Sequence, residues 1–353
     1  MKLQWLAAAA AGTLCVTALA ACSSTKSAGS GGAAAPVVGV DYPRSDTDFW
    51  NSFIQYTPQF AGKLGLSLKT TNSQNDVAKL AANAQTFMAE GVQGVVMAPQ
   101  DTAAIAPTLS QLAAKKIPVV SVDTRPDTGE VYMVVRADNR AYGQKACEFL
   151  GTKLSGKGAV VMLEGDLASI NGRDRTEAFN SCMKQNFPGI TVYGEATNWD
   201  GATAAQKLQT DLTAHPDVKG VYMESSFALS GTLQLLQQKG LLVAPTDPKH
   251  VFVVSNDGIP QELKDIASGK IDATVSQPAD LYAEYALYYI KAAIAGKSFK
   301  PGPTDHNSTI IQVRAGLLED QLSAPLVTAD GGTYGGIPSL KNTDSSLWGN
   351  HLS

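Results

Sequence analysis

From Val37 onward, short β-branched runs alternate with longer amphipathic segments, and this alternation limits the possible folds more than any other feature. Val37-Val38-Gly39-Val40 precedes a helical pattern near Asp48 to Leu64, and Leu66 to Thr70 precedes one near Asp76 to Glu90. Val95-Val96-Met97 precedes a third near Ala103 to Lys115, and Pro118-Val119-Val120-Ser121-Val122 then ends at Asp123. Strands that are apolar on every residue are buried on both faces, and strands joined through helices run parallel with right-handed crossovers. The rhythm breaks at Tyr132 to Asn139 and resumes with a helix near Tyr142 to Leu154 and the strand Ala159 to Leu163. Two similar α/β lobes are predicted, with the chain crossing between them near Ala137-Asp138. A chain of 353 residues is long enough for two such cores.

One stretch, His250 to Asp280, shows where a ligand would sit. Val251-Phe252-Val253-Val254 reads as a buried strand that stops at Asn256-Asp257-Gly258, and Pro260 opens a helix behind it. Asp257 thus stands at the carboxyl end of a strand, the edge at which open α/β sheets bind ligands. The strand Ala273 to Ser276 brings Gln277 to a similar edge. A carboxylate that only accepts and an amide that both accepts and donates suit a polyhydroxylated molecule. The competing reading is that Asp257 merely caps the next helix.

Net charge is −4 and 17% of residues are charged, with no basic block, which argues against a nucleic-acid partner. The four histidines, His215, His250, His306 and His351, have neither metal-ligand nor triad spacing, and no metal or cofactor is expected. Asp123 and Asp257 are the two carboxylates that a glycosidase reading would pair. Nothing in the sequence marks either as an acid of raised pKa, and no enzyme is expected.

The N-terminus reads as an export signal: Lys2, then a largely Ala and Leu run to Ala20, then Leu19-Ala20-Ala21-Cys22. That tetrapeptide looks like a bacterial lipobox, which makes residues 1–21 a signal peptide and Cys22 the lipidated first residue. The alternative is an uncleaved membrane anchor. Residues 22–35, rich in Ser, Gly and Ala, are read as a flexible tether. The mature domain keeps Cys147 and Cys182, each in a predicted helix. An exported chain can pair them, or leave them as two buried thiols. Their spacing excludes zinc.

Several segments together resemble the ribose-binding-protein type of periplasmic binding protein, the sugar-capturing component of ABC importers. They are Pro99-Gln100-Asp101-Thr102, Ile117 to Asp123, Ala137-Asp138-Asn139, Thr213 to Val218, Asn256-Asp257-Gly258 and Ala273 to Gln277. Their order and spacing extend over about Val37 to Asp320. The resemblance implies two Rossmann-like lobes with parallel sheets, a three-stranded hinge and a ligand in the interlobe cleft. The third crossing is expected near Asp305-His306. Lobe one then comprises residues 36–137 plus 277–305, and lobe two residues 138–276 plus 306–322. Residues 323–353 lack periodicity and are read as a surface tail with a lone apolar anchor at Leu347-Trp348-Gly349.

By the same resemblance, Phe49 and Trp50 are paired aromatics, one stacking on a sugar and one packing in the core. Asp123, Arg175, Asp257 and Gln277 are matching polar ligand residues, and Arg173 is the runner-up to Arg175. Trp199 covers the other face of the ligand, with a buried core residue as the alternative. Ser225 falls where ribose-type members have Asn, which shortens the polar reach. Asp46 and Asp48 are neighbouring candidates. Thr124 replaces a common Arg, so Arg125 is the candidate for that role. Asn171-Gly172-Arg173-Asp174-Arg175 and Asp305 to Thr309 look closest to members taking pentoses or four- and five-carbon polyols. The implied protein is a monomeric, lipid-anchored, extracytoplasmic binding component with ABC permease and ATPase partners. The alternative is a sugar-sensing receptor for chemotaxis or a sensor kinase.

Overall fold

A computed structural model describes residues 34–351. The signal, the Cys22 site and most of the tether lie outside the described residues. Among the described residues, no helix is long and apolar enough to cross a membrane.

The chain begins β1 (Val37–Tyr42), α1 (Asp48–Leu64), β2 (Ser67–Asn72), α2 (Val77–Ala89), β3 (Gly94–Met97), α3 (Ala106–Ala114), β4 (Val119–Val122) and β5 (Met133–Ala137). It crosses once and repeats the pattern with α4 (Asn139–Lys153), β6 (Gly158–Glu164), α5 (Ile170–Asn186), β7 (Ile190–Ala196) and α6 (Gly201–Ala214). That half continues through β8 (Val218–Met223), α7 (Leu229–Gln238), β9 (Phe252–Asp257), α8 (Pro260–Ala267) and β10 (Ala273–Ser276). The strand orders β5-β4-β3-β1-β2 and β10-β9-β8-β6-β7 are the same, strand for strand. All of these neighbours pair in parallel, as continuous apolar runs require.

Local signals set the helix ends. Thr47, Asp76, Asp138, Ser169 and Asp200 each accept a backbone N–H in the first turn of the helix that follows. After β10 the chain returns to lobe one as α9 (Ala279–Ile294), whose Ile290 fills the space a side chain at Gly94 of β3 would need.

Two expectations are corrected. The third crossing is not at Asp305-His306, because there the chain makes a tight turn in which Thr304 N donates to Ser308 O (3.0 Å). That turn joins β11 (Gly302–Pro303) to β12 (Thr309–Arg314) in an antiparallel hairpin, and β13 (Leu317–Leu322) follows. β13 pairs in parallel with β5, so residues 306–322 belong to lobe one. Its inward charges are paired: Glu319 with Arg125 (2.9 Å), and Asp320 with His306 (2.9 Å). The crossing falls instead at residues 323–325. Residues 323–353 are also not a light surface tail. β14 (Leu326–Thr328) adds antiparallel to β10, and β15 (Thr333–Tyr334) and β16 (Ile337–Lys341) extend that edge of lobe two. Leu347 and Trp348 are fully buried.

The sulfurs of Cys147 and Cys182 are bonded, tying α4 to α5 with Cα atoms 6.2 Å apart. Neighbouring helices on one sheet face bring them together.

Candidate functional site

The carboxyl ends of both sheets meet across a cleft, and residues from both line a cavity of about 410 Å³, its mouth included. Lobe one contributes Phe49, Trp50 and Asp123. Lobe two contributes Arg175, Trp199, Ser225 and Asp257, and Gln277 stands at the second crossing. The cavity therefore gathers eight of the residues expected at a ligand.

Two expected residues lie elsewhere. Asp48 is exposed at the start of α1, beyond the cavity wall. Arg125 is turned away to β13, where it pairs with Glu319, because that buried carboxylate needs a cation. Asp46 pairs with Arg44 at the surface (2.5 Å). Arg173 also misses the cavity and clasps lobe one, donating to Asp127 (2.6 Å) and Thr102 (3.2 Å).

Arg175 sits at the centre of the lobe-two wall. It is 2% exposed and rests over the rings of Tyr142 (4.8 Å) and Trp199 (5.7 Å). Its Nε donates to Asn139 Oδ1 (2.7 Å), its Nη2 to Gln277 Oε1 (2.8 Å) and its Nη1 to the Glu224 carbonyl. Three of its five N–H groups are thereby used, leaving one on each terminal nitrogen. Burial would weaken the cation, but Asp257 and Asp123 beside it hold its pKa above the ordinary value.

The two carboxylates differ. Asp257 Oδ2 accepts from Ser225 Oγ (2.6 Å), Ser226 N (2.8 Å) and Ser226 Oγ (2.6 Å). Burial raises its pKa, opposed by Arg175 and these donors. Asp123 Oδ2 accepts only from Asn171 Nδ2 across the cleft (3.0 Å), and Asp123 Oδ1 is buried with no partner among the described residues. Burial pushes its pKa up to about 6 against the pull of Arg175 and Arg136. Both residues hold left-handed backbone, φ 64° at Asp123 and 117° at Asp257. Such strain gathers where surrounding structure imposes it for a purpose.

Trp199 follows Asn198, and both have positive φ, 59° and 54°. One face of its indole lies on Gly165, where an added Cβ would be 2.0 Å from the ring. Its Nε1 is also buried without a partner among the described residues. Phe49 and Trp50 meet edge to face at 5.2 Å on the opposite wall.

Arg44, Thr47, Gln100, Asn171 and Phe227 complete the lining. Of these, Gln100 and Asn171 fall within the motifs that carry the family resemblance, and Phe227 closes the stretch Glu224-Ser225-Ser226-Phe227 that holds Ser225. Arg44 and Thr47 lie in the loop after β1, also a carboxyl strand end, which is the signal that could have found them. Asn171 is carried by lobe two but sits between two lobe-one groups, donating to Asp123 and accepting from Arg136 Nη2 (2.8 Å). Arg44 Nη1 reaches the Trp199 carbonyl (3.4 Å) from the other side. With the Arg173 clasp, these contacts hold the lobes together in a closed arrangement.

A family model described as a periplasmic binding protein domain matches residues 38–298. The chain belongs to the periplasmic binding protein family. This binding protein is 26% identical over 291 residues to the ribose import binding protein RbsB of Bacillus subtilis, a match covering 81% of this chain and 92% of that protein. It is 24% identical over 246 residues to the xylitol-binding protein of Mycolicibacterium smegmatis, covering 69% and 68%. Among solved structures, it superposes on an ABC transporter solute-binding protein from Actinobacillus succinogenes with bound D-allose. The TM-score is 0.73 and the identity 19%, covering 84% of this chain and 98% of that one. The fold is the type I arrangement of the ribose-binding group. Among the described residues, no group of three or more His, Cys, Asp or Glu side chains is placed to hold a metal.

Proposed function

We propose that this binding protein is the extracytoplasmic substrate-capturing component of an ABC importer for a small monosaccharide or sugar alcohol, a pentose or four- to five-carbon polyol being favoured. The observation that carries this reading is that an acceptor, Asp123 Oδ1, and a donor, Trp199 Nε1, on opposite lobes are each buried with no partner among the described residues. Leaving both buried without partners is costly, and a ligand hydroxyl can satisfy either one. Arg175 offers two more donors, and the Phe49, Trp50 and Trp199 rings suit the C–H faces of a sugar. The curated relatives are named for ribose and xylitol.

The ligand contacts both lobes, so it stabilises the closed state and shifts an open–closed equilibrium. A permease and its ATPase would read that state. Cys22 is the proposed lipid site, which would tether a monomeric domain outside the membrane. The relatives are solute-binding proteins, and the raised pKa of Asp123 comes from burial in a ligand cavity rather than from a catalytic pair.

A thermal-shift screen of the purified protein against D-ribose, xylitol, D-allose, glycerol and the tetritols and pentitols tests the reading. A ligand that binds only the native state raises Tm by mass action. The expected result is a clear rise with a pentose or short polyol. No rise with any sugar or polyol would refute it.

A further inference from the structure

The C-terminal segment lies outside residues 38–298, yet its Trp348 touches two residues that line the ligand cavity, Asp257 and Phe49. After β16 it runs over α8. Asn342 Nδ2 donates to the Leu263 carbonyl (3.1 Å), and Asn350 Nδ2 to the carbonyls of Asn342 (3.0 Å) and Asp344 (2.9 Å). The first bond ties the segment to α8, and the other two hold its last turn together. At Gly349 the chain passes so close to the β9–α8 turn that an added Cβ would lie 2.3 Å from the Gly258 carbonyl oxygen. No other residue fits there without moving the turn.

This close passage aims Trp348 at Asp257. The Trp348 side chain is 2% exposed, and its Nε1 donates to the Asp257 carbonyl oxygen (3.1 Å). The same oxygen accepts from Gln277 N (2.9 Å), so one carbonyl links two residues of the cavity wall to the C-terminal segment. Asp257 needs such support, because a non-glycine residue at φ 117° persists only where its surroundings over-determine it. The Trp348 ring also meets Phe49 of lobe one edge to face, with centroids 6.2 Å apart and planes at 77°. Phe49 in turn meets Tyr282, whose hydroxyl takes the Ala137 N–H at the first crossing (2.7 Å).

We infer that Trp348 is a positioning residue of the ligand site, fixing the Asp257 backbone in lobe two while its ring carries closure across to Phe49 in lobe one. The inference rests on the sugar or polyol reading above. A packing role alone would require a ring of similar size; this role requires in addition the indole N–H and contact with both lobes.

The test is isothermal titration and stopped-flow binding of whichever of D-ribose and xylitol gives the larger Tm rise, on wild type, Trp348→Phe and Trp348→Leu. Trp348→Phe keeps a ring and removes the donor. It is expected to raise Kd about tenfold, the scale of one net hydrogen bond, with ligand-free Tm close to wild type. The rise should appear in the dissociation rate with the association rate little changed, because an Asp257 that is less firmly held keeps the bound ligand less well. Trp348→Leu should lose more, as both donor and ring are gone. Wild-type Kd and dissociation rate in both variants would overturn the inference while leaving the ligand reading intact. An affinity loss that merely follows a fall in ligand-free Tm, with Trp348→Phe unaffected, would also overturn it. Failure of wild type to bind any sugar or polyol in the screen would overturn the ligand reading, and the inference with it.

Discussion

Asp123 and Asp257 stand at the same place in the two lobes, at the ends of the equivalent strands β4 and β9, and both have left-handed backbone. Their surroundings nevertheless differ. Asp257 is held by Ser225 and Ser226 of its own lobe, while among the described residues Asp123 is held only by Asn171, which arrives from the other lobe. The same contrast extends along both walls. Arg175 is bonded to Asn139, Glu224 and Gln277 whether or not lobe one is near, whereas lobe one presents two rings, one half-satisfied carboxylate and the polar side chains of Arg44, Thr47 and Gln100. Lobe two is therefore a preorganised receiving face, and lobe one completes its polar contact only on closing. The ligand is expected to engage lobe two first, with closure then bringing Asp123 Oδ1 into reach.

The largest test of this asymmetry is covalent. Only lobe two carries a disulfide, and it joins α4 to α5, the helix that bears Asn171, Arg173 and Arg175. Closing a loop of 35 residues contributes about 4 kcal/mol by chain entropy. Reduction should lower the urea midpoint of lobe two and split a single transition into two, lobe two unfolding first. A single transition unmoved by reductant would show that the bond adds nothing to the receiving face.

Next in size is Arg175→Ala. It removes the two free donors and leaves Asn139 Oδ1, Gln277 Oε1 and the Glu224 carbonyl without their partner. Loss of a buried, charge-assisted fork should cost about 3 kcal/mol, roughly a hundredfold in Kd by titration calorimetry. The equivalent loss in lobe one should be smaller: Asp123→Asn keeps the shape and one acceptor.

The extent to which this site was legible in the sequence follows from the range of the forces involved. Strand-end residues such as Asp123, Asp257 and Gln277 are found because apolar runs announce where a strand stops, and open sheets bind ligands there. Arg175, Phe49 and Trp199 came from family resemblance, since nothing local distinguishes a ligand-facing ring from a core one. Arg125 was misplaced because its partner, Glu319, lies 194 residues away. Asn171 and Trp348 act through bonds spanning 48 and 91 residues, which no periodicity records. The C-terminal strands hold two to five residues each, too few for alternation to show. β13 carries buried Glu319 and Asp320, so its pattern lacks the apolar run that marked the other central strands.

A pH series separates the carboxylates further. Asp123 faces Arg175, Arg136, Asn171 and Asp257, and burial leaves its pKa at about 6, above the unfolded value of about 3.9. In the ligand-free protein the folded state therefore binds this proton more tightly than the unfolded chain does. Asp123 thus destabilises above about pH 6, and its contribution to stability improves as pH falls from about 6 to 4. Ligand affinity should move the other way, because a protonated Asp123 loses the acceptor the ligand hydroxyl needs. A fall of about tenfold between pH 7 and 5 is expected if only the carboxylate form binds. Asp123→Asn should abolish the affinity trend and remove the Asp123 share of the stability trend, to which Asp257, Glu224 and Glu262, also raised by burial, contribute with the same sign. A pH dependence of affinity that survives in Asp123→Asn would assign it to the lobe-two carboxyls, Asp257 and Glu224, and reverse the ranking of the two lobes.

The smallest effects concern closure itself. Arg173 touches no ligand position, yet it ties α5 to Asp127 and Thr102 of lobe one, and Thr102 N also reaches the Ala168 carbonyl (3.3 Å). The Arg173 and Asp127 side chains are about one-third exposed, 30% and 33%, so solvent screens much of the attraction. Arg173→Ala should weaken ligand binding only a few-fold, about 1 kcal/mol or less, by making the closed state less populated. Small-angle scattering of the ligand-saturated variant should still give the compact radius of gyration, because the ligand supplies the missing closure energy. At sub-saturating ligand the radius should exceed that of wild type. Asn171→Ala acts at the same interface but also strips Asp123 of its one donor, so it should cost more than Arg173→Ala and move the acid limb of affinity to higher pH. If instead the two variants behave alike, with the acid limb unmoved, Asn171 is another lobe clasp, and lobe one's carboxylate is as independent of closure as lobe two's.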